Sequence, residues 1–135
     1  MDTLKKYDDS IVKKCEMRYT DWQKTPQTTV LADGTYKGYS VLALSYGTHP
    51  CCYFKLPDGN KFINEDPDTI NIDCHGGITF SQNTEADSPM GGGYWLGWDY
   101  AHYGDAVGIT MPGKKYTTDM LIADLKTAID SFICL

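Results

Sequence analysis

Little in this chain points to a familiar chemistry. It contains no GxGxxG, P-loop, GxSxG or HExxH pattern, so dinucleotide-binding, P-loop, α/β-hydrolase and zincin readings lose their usual carriers. None of its five cysteines (Cys15, Cys51, Cys52, Cys74 and Cys134) forms a CxxC pair, and a zinc site built from Cys51, Cys52 and Cys74 lacks the usual ligand spacing. No apolar run approaches the roughly 20 residues of a membrane-spanning helix. Basic residues are scarce: Lys and Arg number 12 against 18 Asp and Glu, for a net charge of −6. That balance argues against bulk nucleic acid and membrane surfaces as partners, because both are gripped through Lys and Arg. A small anionic ligand stays compatible, since a few local donors outweigh a weak global field.

What is present is enough for a core. The chain has 135 residues, 41% of them hydrophobic and 13% aromatic, which supports one folded domain rather than disorder. Residues 1–6 lack the apolar stretch of a secretory signal. The expected setting is therefore cytoplasmic and reducing, with free thiols acting as small buried hydrophobes.

Residues 1–14 read as a polar N-terminal segment and residues 15–135 as a single α+β domain. Residues 15–22 alternate and predict a first strand. Thr28 to Leu31 is β-branched and short, and Ala32-Asp33-Gly34 is a turn signal. Residues 40–46 are nearly continuously apolar, which predicts a strand covered on both faces. Pro50 breaks the run, and residues 51–56 predict its hairpin partner. Residues 57–67 read as a loop, residues 70–74 and 78–81 as strands, residues 82–93 as a loop ending in Gly91-Gly92-Gly93, and residues 94–99 as an aromatic strand. Residues 106–115 read as another loop. Tyr116-Thr117-Thr118-Asp119 is a helix start, with a hydroxyl for the cap and a carboxylate in the first turn. Leu121, Leu125, Ala128, Ile129 and Phe132 form one apolar stripe, with Asp124, Lys126 and Asp130 facing water. The predicted architecture is a mostly antiparallel β-sheet with one C-terminal amphipathic helix packed on it.

Two clusters carry the polar chemistry. In Asp73-Cys74-His75-Gly76-Gly77, an extended backbone places Asp73 and His75 on one face. There a carboxylate fixes the imidazole tautomer, and the glycines allow backbone amides to converge on an anion. The same pattern also fits a tight turn closed by a satisfied histidine. In Asp99-Tyr100-Ala101-His102-Tyr103-Gly104-Asp105, two carboxylates bracket His102 at a spacing of three on either side. Such a set suits a general base held between acids, a metal with oxygen and nitrogen ligands, or a hydrogen-bonded knot that pins a loop. His49, before Pro50 at a strand junction, could join the same face. Thr79 is a ligand hydroxyl candidate, and Trp98, Tyr100 and Tyr103 are candidates for stacking on a base.

Three stretches of this chain resemble a family of small proteins common in bacteriophage genomes, prophages and their Gram-positive hosts. They are Tyr46-Gly47-Thr48-His49-Pro50, Asp73-Cys74-His75-Gly76-Gly77-Ile78-Thr79-Phe80-Ser81 and Trp95-Leu96-Gly97-Trp98-Asp99-Tyr100-Ala101-His102-Tyr103-Gly104-Asp105. Lys114-Lys115-Tyr116-Thr117-Thr118 is similar as well, and the likeness spans most of residues 15–133. The family's common form has Cys where this chain has Tyr100. The resemblance implies a context, the cytoplasm of an infected bacterium, rather than a reaction. Small acidic phage proteins without enzyme signatures are often counter-defence factors that capture a nucleotide second messenger, cleave it, or bind a host protein.

Three readings follow. The first is capture of a small, anionic, nucleotide-like signal of host immunity by His49, His75, Gly76, Gly77, Thr79, Trp98, Tyr100, His102, Tyr103 and Asp105, with no cofactor and no resident metal. The second is a metal- or His-dependent hydrolase of a small phosphorylated or nucleotide substrate, with His75, His102, Asp99 and Asp105 as the catalytic set. The third is a protein-binding inhibitor of a host defence factor whose polar clusters are structural. Capture ranks ahead of catalysis, and the high aromatic content is compatible with a homo-oligomer.

Overall fold

The apolar run at residues 41–45 becomes the middle of an antiparallel sheet. The computed structural model describes residues 13–14, 29–45, 49–88, 90–101 and 116–135. The strand expected at 15–22, the loop expected at 106–115, and His102, Tyr103, Gly104 and Asp105 lie outside the described residues. Among the described residues the strands are β1 (Lys13–Lys14), β2 (Thr29–Tyr36), β3 (Tyr39–Ser45), β4 (Pro50–Leu56), β5 (Phe80–Thr84) and β6 (Gly93–Asp99), followed by one α-helix, α1 (Thr118–Ile133). They pair in the order β1-β2-β3-β4-β6-β5, and every pairing is antiparallel. Five strands of ordinary length thus form the sheet, the two-residue β1 extends one edge, and the helix packs across β2, β3 and β4. The fold is a single α+β domain. No helix among the described residues is long and apolar enough to cross a membrane.

Turn chemistry sets the first hairpin. Lys37 and Gly38 both have positive φ, 49° and 87°, as a two-residue turn matched to strand twist requires. The turn expected at Asp33-Gly34 is instead mid-strand: Asp33 pairs with Leu42 and Gly34 with Val41. Pairing with the apolar β3 outweighs the local turn signal. A register shift between Val30 and Ala32 bends the start of β2. The β3–β4 hairpin forms as expected, with Ala43 opposite Cys52.

Alternation along the strands divides the core in two. On the helix side lie Val41, Ala43, Cys52, Phe54, Leu96 and Trp98, packed against Leu121, Leu125, Ala128, Ile129 and Phe132. The stripe expected on α1 is the buried one. The Phe54 ring meets Phe132 at 5.2 Å, Tyr39 at 6.0 Å and Trp98 at 6.4 Å, edge-on geometries that aromatic quadrupoles favour. Thr117 caps the helix, accepting the Met120 N–H at 3.3 Å. On the opposite face Leu42, Leu44, Cys51, Tyr53 and Trp95 form a second cluster. Residues 41–45 are buried on both sides, as their unbroken apolarity predicts.

The strand expected at 70–74 does not form, and the one expected at 78–81 forms only from Phe80 onward. Residues 70–79 run irregularly, and β5 begins at Phe80 and extends through Gln82-Asn83-Thr84 into the segment expected to be a loop. The pairing partner decides this. Phe80 sits opposite Gly97 and Thr84 opposite Gly93, so β6 selects the polar residues that follow Phe80.

Gly97 leaves no room for a side chain within the sheet. A Cβ there would fall against the Tyr53 ring and 2.8 Å from the Cys52 carbonyl oxygen. Tyr53 uses that space to meet Phe80 edge-on at 5.2 Å. Gly97→Ala is expected to lower stability by about 2 kcal/mol through overpacking, read as a lower urea midpoint with an unchanged m-value.

Candidate functional site

After β4 the chain leaves the sheet and crosses to the helix side. Ile70 is buried there, and Phe62, Ile63, Ile72, Cys74 and Ile78 pack against the same core. Two contacts tie this segment to the end of α1: Ser131 Oγ accepts the Asp73 N–H at 2.9 Å, and the Phe62 ring lies 5.3 Å from Phe132. From Ser131 the chain runs back along the helix toward its start, and this delivers His75 beside Tyr116.

His75 sits in an aromatic bracket. Its ring stacks on Tyr100 at 4.6 Å with an interplanar angle of 12°, meets Tyr116 at 5.1 Å, and Nδ1 lies 3.4 Å from the Tyr116 hydroxyl. Beneath it the Tyr100 hydroxyl is a junction. It accepts the Trp98 Nε1–H at 3.0 Å, donates to Asp124 Oδ2 at 2.7 Å, and lies 3.9 Å from the Cys52 thiol. In front of the imidazole opens a cavity of about 240 Å³ lined by Asp73, Cys74, His75, Tyr116, Asp124 and Thr127. Two carboxylates therefore face one imidazole and one phenol, and the lining contains neither Lys nor Arg.

The expected site residues fall into separate places. Asp73 and His75 share the cavity, as their spacing implies, although no strand carries them. Gly76 and Gly77 both have positive φ, 70° and 86°. The Gly77 N–H turns back onto the Cys74 carbonyl at 3.5 Å, closing a tight turn, and neither glycine lines the cavity. Trp98 and Tyr100 are 1% and 0% exposed. They are core residues with no open ring face, so the stacking role expected of them passes to their part in holding His75. Asp99 ends β6 and uses both oxygens locally, accepting the Ala101 N–H at 3.1 Å and the Thr79 hydroxyl at 3.3 Å. Thr79 is exposed and outside the cavity. His49 precedes Pro50, whose carbonyl accepts the Tyr100 N–H at 3.1 Å. It belongs to the end of the sheet where Asp99 lies and does not line the cavity. His102, Tyr103 and Asp105 lie outside the described residues.

Asp124, Tyr116 and Thr127 are the site residues the sequence reading missed. Asp124 was expected to face water, yet it stands three residues after Leu121 and four before Ala128, on the margin of the buried stripe. That spacing was the available signal for it.

Burial also limits which groups can react. It pushes the Cys51 thiol up to about 12 and the Cys74 thiol up to about 11. Cys52 is raised well above its ordinary value for the same reason. The Tyr100 phenol is raised too, first by burial and then by the neighbouring Cys52. These thiols therefore stay protonated near neutrality and are poor nucleophiles. Among the described residues no group of three His, Cys, Asp or Glu side chains gathers to hold a metal ion.

Comparison with protein-family models, with curated proteins and with solved structures finds no match.

Two outcomes test this geometry. Tyr100→Phe leaves the Trp98 N–H without its acceptor and Asp124 without its donor, and should cost about 1–3 kcal/mol in urea unfolding. The raised thiols make the fold alkali-sensitive. An unfolded thiol releases its proton near 9 whereas the folded Cys74 and Cys51 hold theirs to about 11 and about 12, so their contribution is complete below pH 9 and is lost as the pH rises through that window. Urea midpoints should fall between pH 9 and pH 11, and Cys51→Ala should flatten the slope.

Proposed function

We propose that this protein captures a small nucleotide-like ligand and holds it intact, with the cavity in front of His75 holding the sugar–base part. The phage-type sequence stretches supply the context: the ligand is read as a signal of host immunity and its sequestration as counter-defence. One observation carries the chemistry, the facing carboxylates of Asp73 and Asp124 around His75 and Tyr116 in a cavity of about 240 Å³. Carboxylates accept hydrogen bonds from ribose hydroxyls and from the exocyclic amino groups of bases. Asp124 Oδ2 is taken by Tyr100, which leaves Oδ1 for a ligand. Tyr116 lines the same cavity, with its hydroxyl 3.4 Å from His75 Nδ1.

The same carboxylates repel phosphate. On this reading the phosphates of such a ligand stay outside the cavity. Capture is favoured over hydrolysis because the thiols at and behind the cavity are held protonated and the Tyr100 phenol is locked between a donor and an acceptor.

Incubation with a panel of cyclic dinucleotides and ADP-ribose derivatives, followed by denaturation and chromatography, is the test. Capture returns an intact ligand in stoichiometric amount, and a cleaved product would refute it. Asp73→Asn and His75→Ala should each weaken binding by roughly tenfold, the loss expected for one charge-assisted hydrogen bond.

A further inference from the structure

The sheet face turned away from α1 carries a second polar hollow, unrelated to His75. Its volume is about 440 Å³, and its walls include Thr35, Ser40, Lys55, Met90 and Trp95. Strand pairing assembles it: Thr35 lies opposite Ser40 across β2 and β3, and Lys55 lies opposite Trp95 across β4 and β6. All four side chains therefore stand on one face in neighbouring rows.

Three donors in this hollow lack acceptors or are available to a ligand. The Trp95 Nε1–H is buried and has no hydrogen-bond partner among the described residues, in a residue only 4% exposed. A buried N–H without an acceptor is rare in folded proteins and calls for an explanation. Lys55 has neither a hydrogen-bond nor an ion-pair partner among the described residues. Its stem lies across Gly93, where a Cβ would come within 2.9 Å of Nζ, so the missing side chain of Gly93 is what lets the ammonium lie along the sheet beside Trp95. The Ser40 hydroxyl is the third donor, and with Lys55 it also borders an adjoining hollow of about 220 Å³.

We propose that this hollow binds a small oxyanion, a carboxylate or phosphate group, held by the Lys55 ammonium, the Trp95 indole N–H and the Ser40 hydroxyl. A cation, a neutral N–H and a hydroxyl together match the lone pairs of such a group and exclude a cationic ligand from the Lys55 end. Met90 lines the hollow with Trp95 and packs against the same apolar cluster. Its flexible side chain is suited to moving aside when the anion arrives. Asp33 and Asp58 border the two hollows, and they limit the site to a small group seated at Lys55 rather than a polyanion.

The experiment is a titration of the protein, labelled with ¹⁵N at tryptophan, with inorganic phosphate and separately with acetate at constant ionic strength. The Trp95 indole cross-peak, identified by its absence in Trp95→Phe, should shift saturably with at least one of the two, and the anion that saturates at lower concentration assigns the ligand as phosphate-like or carboxylate-like. Lys55→Met should weaken the response by roughly tenfold or more, while Lys55→Arg, which keeps the charge, should retain it. A Trp95 peak that neither anion moves overturns the proposal, as does a titration that Lys55→Met leaves unchanged. Chemical-shift dispersion of the remaining amides confirms that each variant is folded. Should Lys55→Met fail that check, Lys55→Gln replaces it with the same expectation.

Discussion

The Tyr100 hydroxyl is the bond on which the helix-side architecture depends. It lies where β6 ends, in a ring that is completely buried. A phenol there must find partners, because a buried hydroxyl left unpaired costs about 1–3 kcal/mol. It finds the Trp98 indole on its own strand and Asp124 on α1. Sheet and helix are thus joined by a polar contact whose geometry is far more specific than the apolar packing around it. The upper face of the same ring carries His75. A small displacement of α1 would shift Asp124, tilt Tyr100 and move the imidazole. The core contact and the candidate site are one mechanical unit.

The sheet separates two electrostatic environments. On the helix side, Asp73 and Asp124 line the His75 cavity with no basic residue among them. On the other side, among the described residues, Lys55 stands without a carboxylate partner beside an indole N–H that has no acceptor. The overall charge of −6 describes neither place. Local donors and acceptors decide what each hollow accepts, since the field of distant surface charges is screened within about 10 Å at ordinary salt. The two proposals accordingly assign a polyhydroxy or amino-bearing group to the first and an oxyanion to the second. The strands between them prevent one small molecule from reaching both.

How much of this was legible in the sequence depended on whether the signal was local. The helix was readable from the spacing of Leu121, Leu125, Ala128, Ile129 and Phe132, with Thr117 as its cap, because both features lie within the segment itself. The β3–β4 hairpin was readable for the same reason. Asp33-Gly34 misled because a turn signal is weak beside seven paired positions with β3. β5 misled because its polar residues, Gln82 to Thr84, are chosen by β6 and not by their own propensity. In the site, the Asp73–His75 pairing was legible as two side chains two residues apart. Tyr116 and Asp124 were not, since their roles arise only when the helix docks on a segment some forty residues earlier in the chain. Tyr100 and Trp98 were legible as important but not as buried. An aromatic pair beside polar residues looks the same whether it binds a ligand or holds the residue that does.

Burial holds the protons on the thiols and the phenol around the site. A catalytic group must change its protonation or its bonding as the reaction proceeds, and enzymes hold such groups near the pH at which they work. Here burial drives the other way. Cys52 and Cys74 are pushed up and keep their protons. Tyr100 is pushed up likewise and has its hydroxyl committed at both ends. Toward the cavity stand the Asp73 carboxyl group and Asp124, whose Oδ2 accepts from Tyr100, with the Tyr116 hydroxyl 3.4 Å from His75 Nδ1. An anion at Lys55 would lie against the reverse side of the same sheet. β6 would carry the consequence, because Trp95 on one face and Trp98 on the other belong to the same strand, and Trp98 is the donor that orients Tyr100 beneath His75.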